Sequence, residues 1–203
     1  MIKLYDFPLS GHAHRIRLML SLLNLEYECI HVKLDQGEHL EDIFTTINPF
    51  HQVPVLDDQG FVIRDSIAIL CYLATQYDSK WYPQDARSVA RIQEWLAIAT
   101  KELATGPAAA RLVNVFGAQL DHNDAIEQSH VLLKIIDKHL DGRQWLALDD
   151  VSIADIAIYS YTAHAPEGDV SLAAYPNIKT WLARVESLPR FIAMDKSPVK
   201  LAN

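Results

Sequence analysis

The secondary-structure pattern changes abruptly near residue 80, and this change restricts the chain to two differently built halves. Before it, short β-runs alternate with helical stretches, whereas after Asp85 only helical periodicity remains. The segment Tyr77–Asp85, which reads YDSKWYPQD, has the composition of a linker. We therefore expect one domain over residues 1–77, a linker over 78–85 and a second, all-helical domain over 86–203.

The first half predicts a mixed four-stranded sheet with helices packed on it. Its expected strands are Ile2–Asp6, Tyr27–Val32, Val53–Leu56 and Phe61–Ile63. Its expected helices are Gly11–Leu23, Glu41–Thr46 and Ser66–Gln76. A helix between the first two strands makes a βαβ unit with parallel strands, and the turn residues 57–60 make the last two strands a hairpin. The order βαβ-α-ββα is that of the α/β thioredoxin-like fold.

The second half predicts a helical bundle. Its expected helices are 86–104, interrupted near Gly106-Pro107 and resuming through Phe116, then Asn123–Leu140, Ser152–Tyr161 and Tyr175–Leu188. Ser152 and Asp155 have the S-x-x-D spacing of a capping box before an apolar run, and we give this pair a structural role.

Composition argues against several partners. The formal net charge of −8 disfavours nucleic acid, and no apolar run reaches the ~18–20 residues of a membrane span. The N-terminal sequence MIKLYDF becomes polar too early for an export signal. We interpret Cys29 and Cys71 as buried, inert thiols. Both observations predict a cytoplasmic protein. His12 and His14 lack the spacing of a helical zinc pair, so that no metal is expected.

Pro54 stands where an inner strand begins, and a proline there cannot donate to the strand ladder. A cis Val53–Pro54 bond would bend the chain sharply and leave the Val53 backbone free to pair with an extended peptide ligand. A trans proline that starts an edge strand explains the residue equally well. From the residues alone both interpretations stay open.

Two strand-to-helix junctions place polar groups at a helix start. At Asp65-Ser66 the helix start can bind a carboxylate and Asp65 can pair with an ammonium, which suits the zwitterionic end of an amino acid. At Ser10-Gly11 a hydroxyl points at any anion held by the helix N-terminus. Helix capping alone accounts for Asp65, Ser66 and Ser10 as well.

Three segments resemble signatures of the glutathione S-transferase family, in the family's order and across essentially the whole chain. Residues 48–56, NPFHQVPVL, resemble N-P-x-x-x-V-P-x-L, and residues 65–73, DSIAILCYL, resemble [ED]-S-x-A-I-x-x-Y-L. Ser152–Asp155 matches the [ST]-x-A-D box of the family's helical domain. The chain therefore resembles a cytosolic transferase, and Ser10 resembles the activating serine of the bacterial theta/beta-like branch.

The resemblance implies a glutathione site and an apolar acceptor pocket. The expected glutathione-binding residues are Ser10, His39, Gln52, Val53, Pro54, Asp65 and Ser66. By resemblance, Asp65 and Ser66 hold the γ-glutamyl group, Val53 offers its backbone to the cysteinyl part, and His39 and Gln52 reach the glycyl carboxylate. The expected acceptor-pocket residues are Phe7, Leu9, His12, Ala108, Arg111 and Val115.

The implied reaction is attack of the glutathione thiolate on a small hydrophobic electrophile, as in detoxification. Ser10 would donate a hydrogen bond to the thiolate, and Pro54 would be cis. Tyr5, His12 or backbone N–H groups remain alternatives for the activating donor. Glutathione is the only expected cosubstrate, and no metal is expected. The resemblance also implies a homodimer.

Two rival functions stay open. One is a glutathione-dependent disulfide reductase or peroxidase on the same scaffold, which would favour cysteine over serine at position 10. The other is a catalytically silent binding protein with the transferase fold, because a fold does not guarantee a function.

Overall fold

The computed structural model describes residues 1–197. The N-terminal half holds four strands in the spatial order β2-β1-β3-β4. They are β1 (Ile2–Asp6), β2 (Tyr27–His31), β3 (Val55–Asp58) and β4 (Phe61–Arg64). β1 runs parallel to β2 and antiparallel to β3, and β3 and β4 form an antiparallel hairpin. The predicted mixed sheet and thioredoxin-like arrangement are confirmed.

Eight α-helices accompany this sheet in the described residues. They are α1 (Gly11–Leu22), α2 (Asp42–Ile47), α3 (Ser66–Tyr77), α4 (Ala86–Thr100), α5 (Ala109–Phe116), α6 (His122–His139), α7 (Ile153–Ala163) and α8 (Pro176–Glu186). Within residues 1–197 all strand residues lie before residue 65, so that the described part of the second half is helical, as predicted. The proposed domain ending at 203 extends beyond the described residues.

The sheet core forms because alternate residues of its inner strands point to one face. Leu4 on β1 pairs with Leu56 on β3, and both side chains are fully buried. α1 and α3 both pack against α7, so that helices of the sheet half and a helix of the second half share one hydrophobic core.

α7 is buried on nearly every side, which explains its apolar sequence. Its start is closed by the predicted capping box, because Ser152 caps the helix and the Asp155 carboxylate accepts the Ser152 N–H at 3.0 Å. Asp155 also accepts the Leu146 N–H and the Trp181 indole N–H, at 3.0 and 2.9 Å. The structural role predicted for this pair is confirmed.

The interruption predicted near Gly106-Pro107 is a π-helical turn, Ala104–Ala108, between α4 and α5. Pro107 cannot donate a helix hydrogen bond, which explains the widened turn. Gly106 passes close to α6, since a Cβ there would lie 3.0 Å from the Ser129 backbone nitrogen.

One expectation about the cysteines is wrong. Cys29 is exposed, because β2 lies at the edge of the sheet, and Cys71 is only half-buried. Desolvation of the sulfur and the neighbouring Asp6 carboxylate nevertheless raise the pKa of the Cys29 thiol. Burial raises the pKa of Cys71 to about 11. Both thiols therefore stay protonated near neutral pH.

Candidate active site

A cavity of about 1380 Å³ lies between the loops at one end of the sheet and the α4–α5 region. All thirteen residues expected from the sequence to form the site contribute to its wall. They are Phe7, Leu9, Ser10, His12, His39, Gln52, Val53, Pro54, Asp65, Ser66, Ala108, Arg111 and Val115. The fold brings them together because the loop after β1, the segment before β3 and the starts of α1 and α3 meet at this end of the sheet.

Ser10 is the N-cap of α1. Its Oγ accepts the Ala13 N–H at 3.2 Å, and the chain enters the helix from an extended conformation. Capping uses the oxygen as an acceptor only, so that the hydroxyl proton stays available to a ligand in the cavity. The capping role and the donor role are compatible.

Tyr161 of α7 lies directly over the start of α1. A Cβ at Gly11 would lie 2.7 Å from Tyr161 Cζ, so the absence of a side chain at Gly11 permits this contact. Burial raises the pKa of the Tyr161 phenol, although Arg15, Arg111 and the first N–H groups of α1 act in the opposite direction. Tyr161 also lines the cavity, and the sequence reasoning did not find it.

Tyr5, an alternative activating residue, is placed elsewhere. Its ring packs edge-on against Phe44, with the centroids 6.2 Å apart, and it is not among the residues that line the cavity. Strand alternation turns Tyr5 away from the start of α1.

Asp65 and Ser66 share the start of α3. Asp65 is the N-cap, in a left-handed conformation with φ 72°, and its Oδ1 accepts the N–H groups of Ile67 and Ala68. Its other carboxylate oxygen makes no hydrogen bond within residues 1–197. Ser66 is buried, and its N–H, the first of the helix, has no helical acceptor. One carboxylate oxygen and one N–H are therefore open to a ligand.

The Val53–Pro54 bond is cis, as the resemblance implied. β3 begins only at Val55, so that the Val53 N–H and C=O lie outside the strand ladder. Asn48 fixes this bend, because its amide donates to the Gln52 carbonyl at 2.7 Å.

His39 and Gln52 also line the cavity. His39 Nδ1 is buried and has no hydrogen-bond partner in the described residues, whereas Gln52 is exposed. The imidazole of His51 bonds the His39 carbonyl at 3.0 Å and steadies this loop. A buried polar atom without a partner is uncommon in a folded protein and marks a place where a ligand atom can bind.

A buried cation, Arg15, contacts two residues of the cavity wall. Arg15 is 1% exposed, and none of the described carboxylates lies within ion-pairing distance. One guanidinium nitrogen donates to His12 Nδ1 at 2.8 Å and to Ser66 Oγ at 3.0 Å. In the sequence Arg15 stands out only as a charged residue inside the predicted helix Gly11–Leu23.

Arg111 lines the cavity, as expected, and is also part of a buried ion pair. Its guanidinium donates to Glu167 at 2.6 Å and to the Leu9 carbonyl at 2.9 Å. Burial alone would raise the pKa of Glu167, but the hydrogen bond with His164 and the charge of Arg111 outweigh it and lower that pKa to about 2. This buried ion pair ties the loop that carries Ser10 to the helical half.

Comparison with known proteins identifies the family. The model of the glutathione S-transferase N-terminal domain matches residues 1–75, and that of the C-terminal domain matches residues 67–189. The chain belongs to the glutathione S-transferase family. Glutathione is its cosubstrate, and the described residues contain no group of three or more metal-ligating side chains.

Relatives cover nearly the whole transferase. The mouse glutathione S-transferase theta-1 is 30% identical over 92% of this chain and 83% of its own length. The Drosophila melanogaster glutathione S-transferase D6 is 28% identical over 94% of this chain and 96% of its own length. No helix in residues 1–197 combines the length and apolar character needed to cross a membrane.

Solved structures share the fold. A Pseudomonas fluorescens glutathione S-transferase superposes with a TM-score of 0.90 and 31% identity, over 95% of this transferase and 98% of that chain. A Drosophila mojavensis transferase homologue, solved with bound glutathione, superposes with a TM-score of 0.85 and 25% identity, over 93% and 88% of the two chains.

Proposed function

We propose that this transferase conjugates the thiolate of glutathione to small hydrophobic electrophiles, with Ser10 activating the thiol. The observation that carries the proposal is the position of the Ser10 hydroxyl at the start of α1, in one cavity with the Val53 backbone and the Asp65-Ser66 pair. Glutathione bound by its γ-glutamyl end at α3 and by its cysteinyl backbone at Val53 then extends its sulfur toward Ser10.

The energy required is modest. A cysteine-type thiol has an unperturbed pKa near ~8.5, and each unit of lowering needs about 1.4 kcal/mol of preference for the anion. One charge-assisted hydrogen bond contributes ~1.5–3 kcal/mol, which suffices for one to two units. The α1 N-terminus adds its own positive potential.

Asp65 and Ser66 supply the two groups that a zwitterion needs. The free carboxylate oxygen of Asp65 accepts from the γ-glutamyl ammonium, and the Ser66 N–H donates to the α-carboxylate. His39 Nδ1, buried and unpaired within the described chain, is proposed to bind the glycyl carboxylate with Gln52.

The acceptor site is proposed to lie beside the sulfur, between the loop after β1 and α5. Phe7 and Val115 supply apolar wall, and Phe116, 43% exposed, packs near Phe7 with the ring centroids 6.1 Å apart. Arg111 contributes by holding the Leu9 carbonyl through Nη1, while its Nε donates to Glu167. A wall of this kind favours small, largely apolar electrophiles.

A homodimer is proposed as the assembly. The apolar side of α4 does not support it, because Ile92, Trp95 and Leu96 are buried within the chain. Better support comes from Phe50 and from Phe61 on the edge strand β4, which are 73% and 58% exposed. Light scattering at micromolar concentration that returned the 22.9 kDa monomer mass would contradict a dimer.

We also propose a cytoplasmic location, the theta/beta-like branch, and domains over 1–77 and 86–203. The location is supported by two unpaired cysteines, which fit a reducing compartment. The branch rests on serine at position 10.

Conjugation and its rival, disulfide reduction, are separated by two parallel assays. The wild-type protein should conjugate glutathione to chlorodinitrobenzene faster than it reduces hydroxyethyl disulfide, because serine cannot form a mixed disulfide. Ser10→Cys should reverse the ratio, since a thiolate at a helix N-terminus is a competent nucleophile. Failure of wild-type protein to bind glutathione in a calorimetric titration would favour the silent binding protein and remove the proposal.

A further inference from the structure

The imidazole of His12 is held on one side only. Its Nδ1 lies 2.8 Å from the Arg15 guanidinium and 3.2 Å from Ser66 Oγ. Its Nε2 makes no hydrogen bond to residues 1–197 and is accessible from the cavity that His12 lines. The edge of the ring packs against Tyr161, with the centroids 5.1 Å apart. One ring nitrogen is thus anchored and the other has no partner in the described chain.

The anchoring group fixes the tautomer. A guanidinium can only donate, so that His12 Nδ1 must accept its hydrogen bond and carry no proton. The Ser66 hydroxyl accepts from the same guanidinium. The single proton of a neutral imidazole therefore resides on Nε2, as a donor that faces the cavity.

We propose that His12 is a second hydrogen-bond donor to the sulfur of bound glutathione, and that Arg15 is the positioning residue that keeps the proton on Nε2. This inference rests on the proposed placement of the sulfur at Ser10. His12 lies in the first turn of α1, two residues after Ser10, and both side chains line the same cavity.

The surroundings keep His12 neutral. Burial and the charge of Arg15 lower the pKa of His12 to about 3, so that at neutral pH the ring donates a hydrogen bond and is too weak a base to take the thiol proton. The groups in contact with it are Arg15 on its own helix, Ser66 on α3 and Tyr161 on α7, and the Asp65 carboxylate acts on Arg15. A neutral imidazole donor stabilises a developing anion without itself changing charge.

Arg15 adds an electrostatic effect of its own. Its buried positive charge has no ion-pair partner in the described chain, and burial lowers the pKa of the guanidinium to about 10, which still leaves it charged. Tyr161 and Asp65 partly offset the desolvation of this cation, and its positive charge favours a thiolate over a thiol in the adjoining cavity. Ser66 links this group to the γ-glutamyl site, because its hydroxyl contacts both His12 and Arg15.

The tautomer is tested directly by nitrogen NMR of the wild-type protein labelled on histidine. We expect the His12 signals of a protonated Nε2 and an unprotonated Nδ1, unchanged between pH 5 and 8, with and without glutathione. A proton on Nδ1, or titration of His12 in this range, would overturn the inference. In Arg15→Gln the proton should redistribute between the two nitrogens.

The donor role is tested by the pKa of bound glutathione, measured from thiolate absorbance against pH. His12→Leu should raise this pKa by about one unit and lower kcat near pH 6.5 by about tenfold, with KM for glutathione little changed. His12→Gln should stay close to wild type, because its amide N–H reaches the position of Nε2. His31→Leu, which removes an exposed imidazole from the rim of the same cavity, is the matched control.

The outcomes separate this inference from the proposed function. A pKa that rises in Ser10→Ala but not in His12→Leu leaves the function standing and refutes the role of His12. A rise in His12→Leu but not in Ser10→Ala supports His12 and removes Ser10. If His12→Leu does not fold, His12→Asn replaces it, because the Asn amide is too short to reach the Nε2 position. The pKa of bound glutathione should then rise by the same amount in His12→Asn, and a wild-type pKa in that variant refutes the inference.

Discussion

Replacing Ser10 removes two interactions at once, and their sizes can be worked out separately. Ser10→Ala loses the cap on α1, which costs about 1 kcal/mol and lowers the melting temperature by roughly 2–4 °C for a chain of this length. It also loses the O–H donor to the thiolate. At ~1.5–3 kcal/mol, that loss raises the pKa of bound glutathione by about one to two units.

Two further variants separate these effects. Ser10→Gly retains most of the cap, because glycine costs only a few tenths of a kcal/mol at an N-cap, but it has no hydroxyl. Its unfolding should therefore resemble wild type while its thiol pKa matches that of Ser10→Ala. Ser10→Thr retains both cap and donor. The thiolate absorbance titration gives the pKa, and turnover near pH 6.5 should fall about tenfold for each unit of rise.

One result would refute this reasoning. If wild type, Ser10→Gly and Ser10→Ala share one titration midpoint while only Ser10→Ala is less stable, Ser10 is a helix cap and nothing more. The activating donor would then be His12 or the backbone N–H groups at the start of α1.

Three other perturbations test separate parts of the structure. Asp65→Asn, which keeps an oxygen for the α3 cap, should weaken glutathione about fivefold in calorimetry, a small loss because Asp65 is exposed; an unchanged Kd would remove its ammonium role. Gly11→Ala should destabilise the protein by ~1–3 kcal/mol in urea unfolding, since its Cβ meets the Tyr161 ring at 2.7 Å; wild-type stability would show that the ring moves freely. His14 is fully buried, and burial lowers its pKa to about 3, so that the stability it contributes is lost as pH falls below about 6.5. By pH 5 this loss should reach about 2 kcal/mol and should be absent in His14→Gln; an NMR titration midpoint near 6.5 would contradict it.

The parts of the fold that depend on short-range pattern were predictable from the sequence. Alternating apolar residues indicated the strands, and the S-x-x-D spacing correctly indicated the capping box of Ser152 and Asp155, because both signals act within a few residues. The exposure of Cys29 was missed, since an apolar run does not show whether a strand lies at the edge of its sheet.

The contacts around the sulfur site could not be predicted in the same way. Arg15 meets Ser66 across 51 residues of sequence, and Tyr161 reaches Gly11 from the other half of the chain. Such pairs are made by tertiary packing, which leaves no periodicity in the sequence. Gly11 did not indicate the contact with Tyr161 either, because a glycine beside a helix cap is usually explained by its local conformation.

The close approach of Tyr161 to Gly11 has a consequence for recombining this protein with its relatives. Tyr161 of α7 packs against Gly11 at the start of α1. Arg111 of α5 donates a hydrogen bond to the Leu9 carbonyl in the loop before α1. A chimaera that joins residues 1–77 to a foreign helical half would replace both at once. Shuffling at the linker therefore exchanges part of the thiol's environment together with the acceptor wall, and a crossover meant to change substrate preference alone must carry these two residues with it.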